Sequence, residues 1–377
     1  MTSFRLKSIL RPHRLLLIAL LFGLFFSGCT GGGSVPKGWS GVTVNNGTLF
    51  VGSMDGRVVA VSTANSSLLW SVLLQNPPAG GGGFGCAPAA TAVAIYGTPT
   101  VDGDLVYISG YNGKVYAISS STRLSKDTYL RKDNGSSPKP IIASVSVANG
   151  KVYAGSSDGR VYAMDTVSLD SKWQFATGEK VWSTPAVSGD TVYVTSFDKK
   201  LYALNAADGS KKWEFKTEAA IVDTPVVDGD TVFVGSLDRY VYALKAIDGS
   251  LKWKFMGGNW FWAKPVVHNG VVYATNLDGK VYAINAVSGQ KQAEFDLGGP
   301  SSVSPVVVED VLIAATEAGE VYSLDTISHQ QKLLVNLGEK VYSSLAASGG
   351  KVYIHSSNDK LYEIDANSGA KRELNIK

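Results

Sequence analysis

Cysteine is almost absent from this sequence, since only Cys29 and Cys86 stand in a chain of 377 residues. Two cysteines can form one disulfide at most, so a disulfide framework cannot hold the fold together. Histidine is nearly as scarce, with four residues and no two of them at metal-ligand spacing. The sequence therefore predicts no zinc site, and we expect no bound metal.

An excess of charge of one sign is also missing. The chain has 35 lysines and arginines against 32 aspartates and glutamates, and four of the basic residues lie within the first 14 positions. Without that N-terminal leader, 31 basic residues stand against 32 acidic ones. Nucleic-acid binding requires a concentrated basic face, so we expect no nucleic-acid partner.

The N-terminus has the composition of an export signal. Four basic residues precede an apolar run at 15–26, and Ser27 and Gly28 lead into Cys29. A basic start, a short apolar segment and small residues are typical of a signal peptide. The run is shorter than the roughly 20 residues that span a bilayer, so we expect export rather than a membrane-spanning helix.

The end of this signal, "FFSGC", resembles the lipobox of bacterial lipoproteins, with Phe26 where leucine is usual. The resemblance implies that Cys29 is lipidated, that 1–29 is a lipoprotein signal peptide and that 30–37 is a flexible tether. It also implies a membrane-anchored protein facing the periplasm or cell exterior. Thr30, in place of aspartate, implies sorting to the outer membrane if the host has one. The alternative is an ordinary cleaved signal with an incidental cysteine.

A repeat of 40 residues dominates the rest of the chain. Its marker is an apolar residue followed by tyrosine, and the step is constant over six copies, at Tyr162, Tyr202, Tyr242, Tyr282, Tyr322 and Tyr362. Val115-Tyr116 and Val58-Val59 mark two earlier copies, which are separated by longer steps because of insertions. Eight structural units are therefore expected.

Each unit divides into four short strands. In the stretch 223–255, "PVV", "TVFVGS", "YVYALKA" and "LKWKF" are separated by turn sequences such as Asp228-Gly229 and Asp248-Gly249, which close hairpins. Four antiparallel strands per 40 residues form one propeller blade. We predict an all-β fold, an eight-bladed β-propeller over 38–377. Two smaller domains are the alternative, but the unbroken repeat frame from 143 onward argues against a boundary there.

The fourth strand of the blades identifies the type of propeller. Gly209 and Trp213, like Gly249 and Trp253, form a G-x-x-x-W pattern that resembles the tryptophan-docking motif of the PQQ-like, quinoprotein-type propellers. The resemblance implies that the tryptophan packs between neighbouring blades. The predicted docking residues are Trp70, Trp173, Trp213 and Trp253. Ala293, Leu333 and Glu373 occupy this place in blades 6 to 8, where weaker docking is expected.

Enzymatic use of a quinone is not supported by the residues. The quinoprotein alcohol dehydrogenases that share this type of propeller carry a vicinal cysteine pair and calcium-binding acids on a longer chain, and this sequence cannot supply the cysteine pair. The formal G-x-G-x-x-G within 80–85 has no helix pattern after it, so it predicts no phosphate site. We expect no catalytic residue and no cofactor.

The chain is also similar to the BamB family of lipoproteins in length, lipobox and number of blades. "VDTPVV", at 222–227, looks like a segment of that family's middle blades, although "KTEAAI" stands before it where an arginine-rich loop is expected. The resemblance implies a scaffold for protein–protein interaction, with partners in outer-membrane protein assembly. The alternative is a propeller that binds a small molecule or glycan, such as PQQ, in its central channel for catalysis or sensing. A channel lined by convergent acids would favour that alternative, and a neutral channel beside an aromatic patch would favour the scaffold.

Candidate binding residues are those that depart from the repeat frame where the fourth strand of one blade joins the first strand of the next. Lys264 stands where other blades have threonine or serine, and Trp260 stands where others have lysine or alanine. Trp262 shares its column with Trp182 and Tyr342. Because tryptophan and tyrosine often anchor interfaces, we predict a partner-binding patch of Trp260, Trp262 and Lys264, with Trp182 and Tyr342 as nearby candidates.

Overall fold

The computed structural model describes residues 38–75, 92–130 and 138–377. The predicted signal peptide at 1–29, its lipidated Cys29, the tether at 30–37 and Cys86 lie outside the described residues. The described chain forms eight sheets, each of four sequential antiparallel strands. This arrangement confirms the predicted eight-bladed β-propeller.

The first four blades contain strands β1 to β16. Blade 1 consists of β1 (Val42–Asn45), β2 (Thr48–Gly52), β3 (Arg57–Ser62) and β4 (Leu68–Leu73). Blade 2 consists of β5 (Thr100–Asp102), β6 (Leu105–Ser109), β7 (Lys114–Ser119) and β8 (Ser125–Tyr129). Blade 3 consists of β9 (Ser146–Ala148), β10 (Lys151–Gly155), β11 (Arg160–Asp165) and β12 (Ser171–Ala176). Blade 4 consists of β13 (Ala186–Ser188), β14 (Thr191–Thr195), β15 (Lys200–Asn205) and β16 (Lys211–Lys216).

The last four blades contain strands β17 to β32. Blade 5 consists of β17 (Val226–Asp228), β18 (Thr231–Gly235), β19 (Tyr240–Lys245) and β20 (Leu251–Met256). Blade 6 consists of β21 (Val266–His268), β22 (Val271–Thr275), β23 (Lys280–Asn285) and β24 (Lys291–Asp296). Blade 7 consists of β25 (Val306–Val308), β26 (Val311–Ala315), β27 (Glu320–Asp325) and β28 (Gln331–Asn336). Blade 8 consists of β29 (Ala346–Ser348), β30 (Lys351–His355), β31 (Leu361–Asp365) and β32 (Lys371–Leu374).

The first, innermost strands of neighbouring blades contact one another in sequence, and β29 of blade 8 contacts β1 of blade 1, which closes the ring. Among the described strands, none is exchanged at this closure, because each sheet contains only strands that are consecutive in the chain. The seam is filled by an apolar cluster that includes Val51, Tyr353 and Ile376. The fully buried His355 adds a polar contact, with Nδ1 at 2.8 Å from the carbonyl oxygen of Ser40.

The repeated tyrosine of the third strand has a defined structural role. The Tyr202 hydroxyl donates to Asp198 Oδ2 at 2.6 Å, and Tyr242 donates to Asp238 Oδ2 at 2.8 Å. The same aspartates accept the backbone N–H of the residue two positions later, as with Asp198 Oδ1 and Lys200 N at 3.0 Å. An aspartate held by both groups fixes the turn between the second and third strands. The recurring tyrosine of the Val-Tyr pairs therefore has a structural role within its own blade.

Tryptophan docking joins the middle blades of the ring. The indole Nε1 of Trp173 donates to the Ala206 carbonyl at 3.1 Å, and Trp213 and Trp253 donate to Ala246 and Ala286 at 2.9 and 3.0 Å. Each acceptor lies in the following blade. The glycine of the next blade's motif is required there, since a Cβ on Gly249 would come within 2.5 Å of the Trp213 ring.

Docking differs at the other blades. Trp70 is half-buried and packs its ring 5.9 Å from that of Phe50 in the same blade. In blade 7, Leu333 is 48% exposed, and the register shift between the third and fourth strands lies at Val321/Tyr322, earlier in the strand than in blades 3 to 6. The seam between blades 7 and 8 has no docking tryptophan and is filled by the apolar cluster around Leu337 and Leu345.

The described part of the chain contains no helix that is long and apolar enough to cross a membrane.

Candidate functional site

The joins between blades surround one end of the central channel. A cavity of about 540 Å³ opens there, and its lining comes from blades 2 to 8. Seven of the 16 lining residues carry small hydroxyls: Thr98, Thr100, Ser144, Thr184, Thr224, Ser304 and Ser344. Gly41 occupies the equivalent place in blade 1, where a Cβ would come within 2.3 Å of the Thr98 hydroxyl. The repeat therefore places a ring of small, mainly hydroxyl-bearing residues around the channel axis.

Lys264 interrupts this ring in blade 6. The sequence identified it as a departure from the frame, and the structure places it in the channel lining. Its side chain is exposed, and it makes no ion pair with any other described residue. A flexible ammonium is thus presented to whatever enters this end of the channel.

Asp223 lies beside Lys264 and is the acidic member of the channel lining. Its carboxylate accepts the backbone N–H of Lys264 from the next blade and the N–H of Thr224, the latter at 2.6 Å. Burial raises the pKa of Asp223, while these N–H groups and the Lys264 charge oppose that shift. Other blades have small residues in this column, such as Ser183, Ala263 and Ser343. Sequence reasoning noted "VDTPVV" but did not assign Asp223 to a site.

Among residues 38–75, 92–130 and 138–377, no group of three or more histidine, cysteine, aspartate or glutamate side chains is arranged to hold a metal ion. The opposite charges of Asp223 and Lys264 make the lining of the cavity neutral overall. Its remaining polar groups are hydroxyls, which both donate and accept hydrogen bonds. Such a lining can hydrogen-bond peptide or sugar groups.

Aromatic side chains occupy the column two residues before the hydroxyl ring. Five of the eight blades have one there: Trp39, Tyr96, Trp182, Trp262 and Tyr342. All five are half-buried. Buried and half-buried residues alternate along these joins, as at 181–185, so this column and the hydroxyl ring are exposed at the same end of the channel. We call these five side chains, with Asp223 and Lys264, the mouth surface.

The aromatics of blades 8, 1 and 2 contact one another. The ring of Trp39 lies 5.7 Å from that of Tyr342 and 4.8 Å from that of Tyr96, and Tyr96 lies 5.4 Å from Tyr111. Burial and the neighbouring Tyr111 raise the pKa of Tyr96 to about 12, so its hydroxyl stays protonated at neutral pH. Sequence reasoning missed Trp39 and Tyr96, although both stand in the same column as the identified aromatics. Each is followed by two small residues, Ser40-Gly41 or Gly97-Thr98.

Trp182 is held in place by its neighbours in blades 3 and 4. Its Nε1 donates to the Ser157 hydroxyl at 3.0 Å, and its ring meets that of Phe197 edge to face at 4.7 Å. The Lys180 ammonium lies 5.5 Å from the indole centroid, within cation–π range. This aromatic is therefore pre-oriented, which lowers the entropy cost of using it as an anchor.

Trp260 and Trp262 flank Phe261, which is 1% exposed and belongs to the core between blades 5 and 6. Lysine and alanine at the equivalent places indicate a loop position open to solvent, but Trp260 is half-buried. Its carbonyl accepts the N–H of Leu277 at 3.1 Å, and its own N–H donates to Asn259 at 2.9 Å. The bond from Leu277 ties Trp260 to the turn of blade 6, whereas Trp262 and Lys264 belong to the mouth columns.

Comparisons with known proteins agree with this architecture. The family model PQQ_2, described as outer membrane protein assembly factor BamB, matches residues 33–124, 131–222, 216–328 and 278–372. The crystal structure of BamB from Moraxella catarrhalis is similar, with 18% identity, a TM-score of 0.70 and coverage of 86% of this chain and 95% of that one. The computationally designed Ika8 protein is also similar, with 13% identity, a TM-score of 0.71 and coverage of 88% and 98%. These two structures show the fold alone, and no curated protein sequence matches.

Proposed function

Since the chain belongs to the PQQ_2 family, described as outer membrane protein assembly factor BamB, we propose that it is a scaffold that binds another protein in outer-membrane protein assembly. We propose further that it is not an enzyme and that it needs no cofactor. The observation that carries the proposal is the mouth surface. It combines rigid aromatic anchors with one acid and one base at the channel opening.

The composition of the mouth surface suits a protein partner. Tryptophan and tyrosine contribute large, rigid contact areas and are enriched among the residues that dominate binding energy. Asp223 and Lys264 supply opposite charges close together, which would fix the orientation of a partner more than its affinity. The neutral channel lining is the condition that favours a scaffold over a small-molecule site.

The proposed membrane anchor fits the position of this surface. If Cys29 is lipidated, only residues 30–37 separate it from Gly38, where the described chain begins. Eight residues span at most about 28 Å. Trp39 of the mouth surface follows directly, so the anchor would hold this face near the membrane. A membrane-bound assembly partner is within reach there.

Co-purification from the native membrane tests this proposal. The tethered protein is extracted in a gentle detergent, and captured proteins are identified by mass spectrometry. The test variant is Asp223→Ser with Lys264→Thr, since serine and threonine are the residues that other blades carry in these columns. The control is Lys172→Thr on β12, at the outer edge of blade 3. We expect assembly components with the wild-type and control proteins, and at least a tenfold loss with the double variant.

Absence of assembly components from the wild-type capture would refute the assembly role. Equal capture by the wild-type and double-variant proteins would refute the mouth surface as the binding site. Because the double variant introduces only residues that the repeat already uses, a folding defect is not expected, and a melting curve checks this.

The cavity itself favours one alternative function. A volume of about 540 Å³ lined by hydroxyls is within the range of small-molecule sites, and hydroxyl pairs suit a glycan or another hydroxylated ligand. Calorimetric titration with oligosaccharides and with PQQ tests this alternative. Saturable binding that Lys264→Thr weakens would support a ligand-binding propeller instead.

A further inference from the structure

Four aromatic side chains form one continuous cluster across blades 8, 1 and 2. Tyr342, Trp39, Tyr96 and Tyr111 contact one another in that order, with ring centroids 5.7, 4.8 and 5.4 Å apart. All four are half-buried, so each keeps part of its surface open. We call these four residues the blade 1 cluster, after the blade at its centre.

The polar atoms of the blade 1 cluster have no protein partner. Within the described chain, the indole Nε1 of Trp39 and the hydroxyls of the three tyrosines make no hydrogen bond, and none of these atoms is fully buried. The docking tryptophans differ, because their indole N–H groups donate to the next blade. A ring with a packed apolar body and an open polar tip suits a boundary between an apolar and a wet phase. The cluster presents four such rings side by side.

The charge around the cluster is low and slightly basic. Lys340 is exposed two residues before the tyrosine of blade 8, and the neighbouring Glu339 is paired with Lys360 at 3.0 Å. In the adjacent turn of blade 1, Asp55 and Arg57 are paired at 3.2 Å. A lysine beside tryptophan and tyrosine is compatible with the phosphate groups of lipids.

The start of the described chain lies within this cluster. Trp39 follows Gly38 directly, and the sequence predicts a lipidated Cys29 with a tether at 30–37. An eight-residue tether spans at most about 28 Å, and a flexible one has an average end-to-end distance of about 16 Å. The proposed anchor therefore holds the blade 1 cluster close to the membrane surface.

We propose that the blade 1 cluster binds the headgroup region of the membrane that carries the lipid anchor. The inference rests on the proposed function only for the lipidation of Cys29. Tryptophan and tyrosine are enriched at membrane–water interfaces, where the ring lies against apolar groups and its polar tip among the headgroups. Phosphate and carbonyl oxygens of the lipids would accept the open N–H and O–H groups. A lipid anchor alone leaves the orientation of the propeller free, and this second contact would restrict it.

Such a contact would divide the mouth surface. Blades 1 and 5 lie on opposite sides of an eight-bladed ring, so the cluster is far from Asp223 of blade 5 and from Lys264 of blade 6. Lipid contact at blades 8, 1 and 2 would tilt the propeller and leave the charged pair open to a protein partner. Three of the five mouth aromatics would then serve the membrane.

Quenching of tryptophan fluorescence by brominated lipid tests the contact. The lipidated full chain, with its lipid verified by mass, is reconstituted into phosphatidylcholine vesicles with and without bromine on the acyl carbons nearest the headgroups. Trp39 is the tryptophan of the cluster, and Trp182 occupies the same column in blade 4. We expect bromine to quench the wild-type chain, Trp39→Phe to reduce the quenched intensity at least about threefold, and Trp182→Phe to leave it unchanged.

A matched pair of charge substitutions measures the contribution of the cluster. Tyr111 of blade 2 and Phe197 of blade 4 stand in the same turn column, are both half-buried, and contact the aromatic of their own blade at 5.4 and 4.7 Å. A carboxylate is unfavourable where apolar surface is buried. We expect Tyr111→Asp to lower the quenching of Trp39 at least about threefold and Phe197→Asp to leave it unchanged. Melting curves check that both variants fold, and the Trp39→Phe result stands independently of them.

Three results would overturn the inference. These are an unlipidated Cys29, an absence of quenching in the wild-type chain, and equal losses with Trp39→Phe and Trp182→Phe, which would place the whole mouth flat on the bilayer. A protein partner is the competing occupant, and it would be assigned to the cluster if Tyr111→Asp abolished partner capture while the wild-type chain showed no quenching.

The co-purification assay separates this inference from the proposed function. Intact capture of assembly components without quenching would remove the membrane contact alone. Quenching that depends on Trp39, without capture of assembly components, would remove the assembly role alone.

Discussion

The contact that closes the ring should make the propeller sensitive to acid. Asp359 in blade 8 accepts the N–H of Met54 in blade 1 at 2.9 Å and lies 3.2 Å from the Nε2 of His355. The other ring nitrogen of His355 lies 2.8 Å from the Ser40 carbonyl oxygen. Burial alone would raise the pKa of Asp359. The hydrogen bonds from His355 and Met54, with the charges of His355 and Lys377, lower that pKa to about 2.

The size of the effect follows from that pKa. A carboxyl group with an ordinary pKa of 3.8 and a folded-state pKa of about 2 contributes about 2.4 kcal/mol, at 1.36 kcal/mol per unit. Because the folded-state pKa is the lower one, this contribution is fully present above about pH 4. It is lost as the pH falls from about 4 to about 2. Asp359→Asn should remove this contribution to the free energy of unfolding at neutral pH. It should also make that free energy fall less steeply as the pH is lowered below about 4.

Denaturant unfolding at a series of pH values measures this contribution. The control is Asp238→Asn, which removes the carboxylate of the blade 5 turn that binds Tyr242 within one blade. We expect Asp359→Asn to lower the free energy of unfolding by about 2 kcal/mol at pH 7 and by less than about 0.5 kcal/mol at pH 2. A loss that is equal at both pH values would refute the linkage and reduce Asp359 to a packing role.

Three further predictions concern packing. Gly249→Ala should destabilise the protein by about 1–3 kcal/mol, because Gly249 has a positive φ of 72° and a Cβ there would strike the Trp213 ring. Gly229→Ala should cost less, because Gly229 also has a positive φ but a Cβ there would meet nothing within 4 Å. Thermal melts compare the two variants. Trp213→Phe should cost about 1 kcal/mol in the free energy of unfolding, since the hydrogen bond to the next blade is lost. Phe261→Ala should cost about 3–5 kcal/mol, whereas Trp260→Ala, at a half-buried position, should cost clearly less. Similar losses for the last two variants would make Trp260 a core residue.

The repeat made most of the fold predictable from the sequence. A constant step of 40 residues and the aspartate-glycine turns fix four strands per blade, and eight copies fix the ring. The ring closure was not predictable. His355 stands at the end of the second strand, where other blades have glycine, alanine, serine or threonine. Its pairing with Ser40 spans 315 residues, and no local pattern encodes such a contact.

The mouth surface was only partly predictable, for a related reason. Column comparison identified Trp262, Lys264, Trp182 and Tyr342 because blades 4, 6 and 8 keep the strict frame. It missed Trp39 and Tyr96, although each precedes its blade's marker, Val58 or Val115, by the same 19 residues that separate Trp182 from Leu201. The comparison also shows which blades differ but not the direction of a side chain. The channel position of Lys264 therefore emerged only from the three-dimensional arrangement.

The residue at the end of each second strand explains why the seam between blades 8 and 1 closes without an exchanged strand. In three seams a hydroxyl there donates to a carbonyl of the next blade, as Ser109 does to Ala143, Thr195 to Asp223 and Thr275 to Val303. In three others a glycine allows close packing instead, as where Gly235 meets Phe261. His355 makes the same type of bond, to the Ser40 carbonyl in the corresponding column of blade 1. The closing seam thus repeats the chemistry of the other seams, with a larger side chain that also reaches Asp359.

This regularity separates structural from functional residues at the mouth. The carbonyl of Asp223 serves the seam, and any residue could supply that carbonyl. Its carboxylate, like the Lys264 ammonium, stands where other blades carry small residues. A carboxylate in this position has a desolvation cost, and the N–H groups of Thr224 and Lys264 offset that cost only in part, because the pKa of Asp223 is still raised. The aromatic column differs, because it recurs in five blades and also packs the inner ends of the joins. We therefore expect the proposed recognition to depend more on Asp223 and Lys264 than on Trp262, so substitution of the charged pair should weaken partner capture more than Trp262→Tyr does.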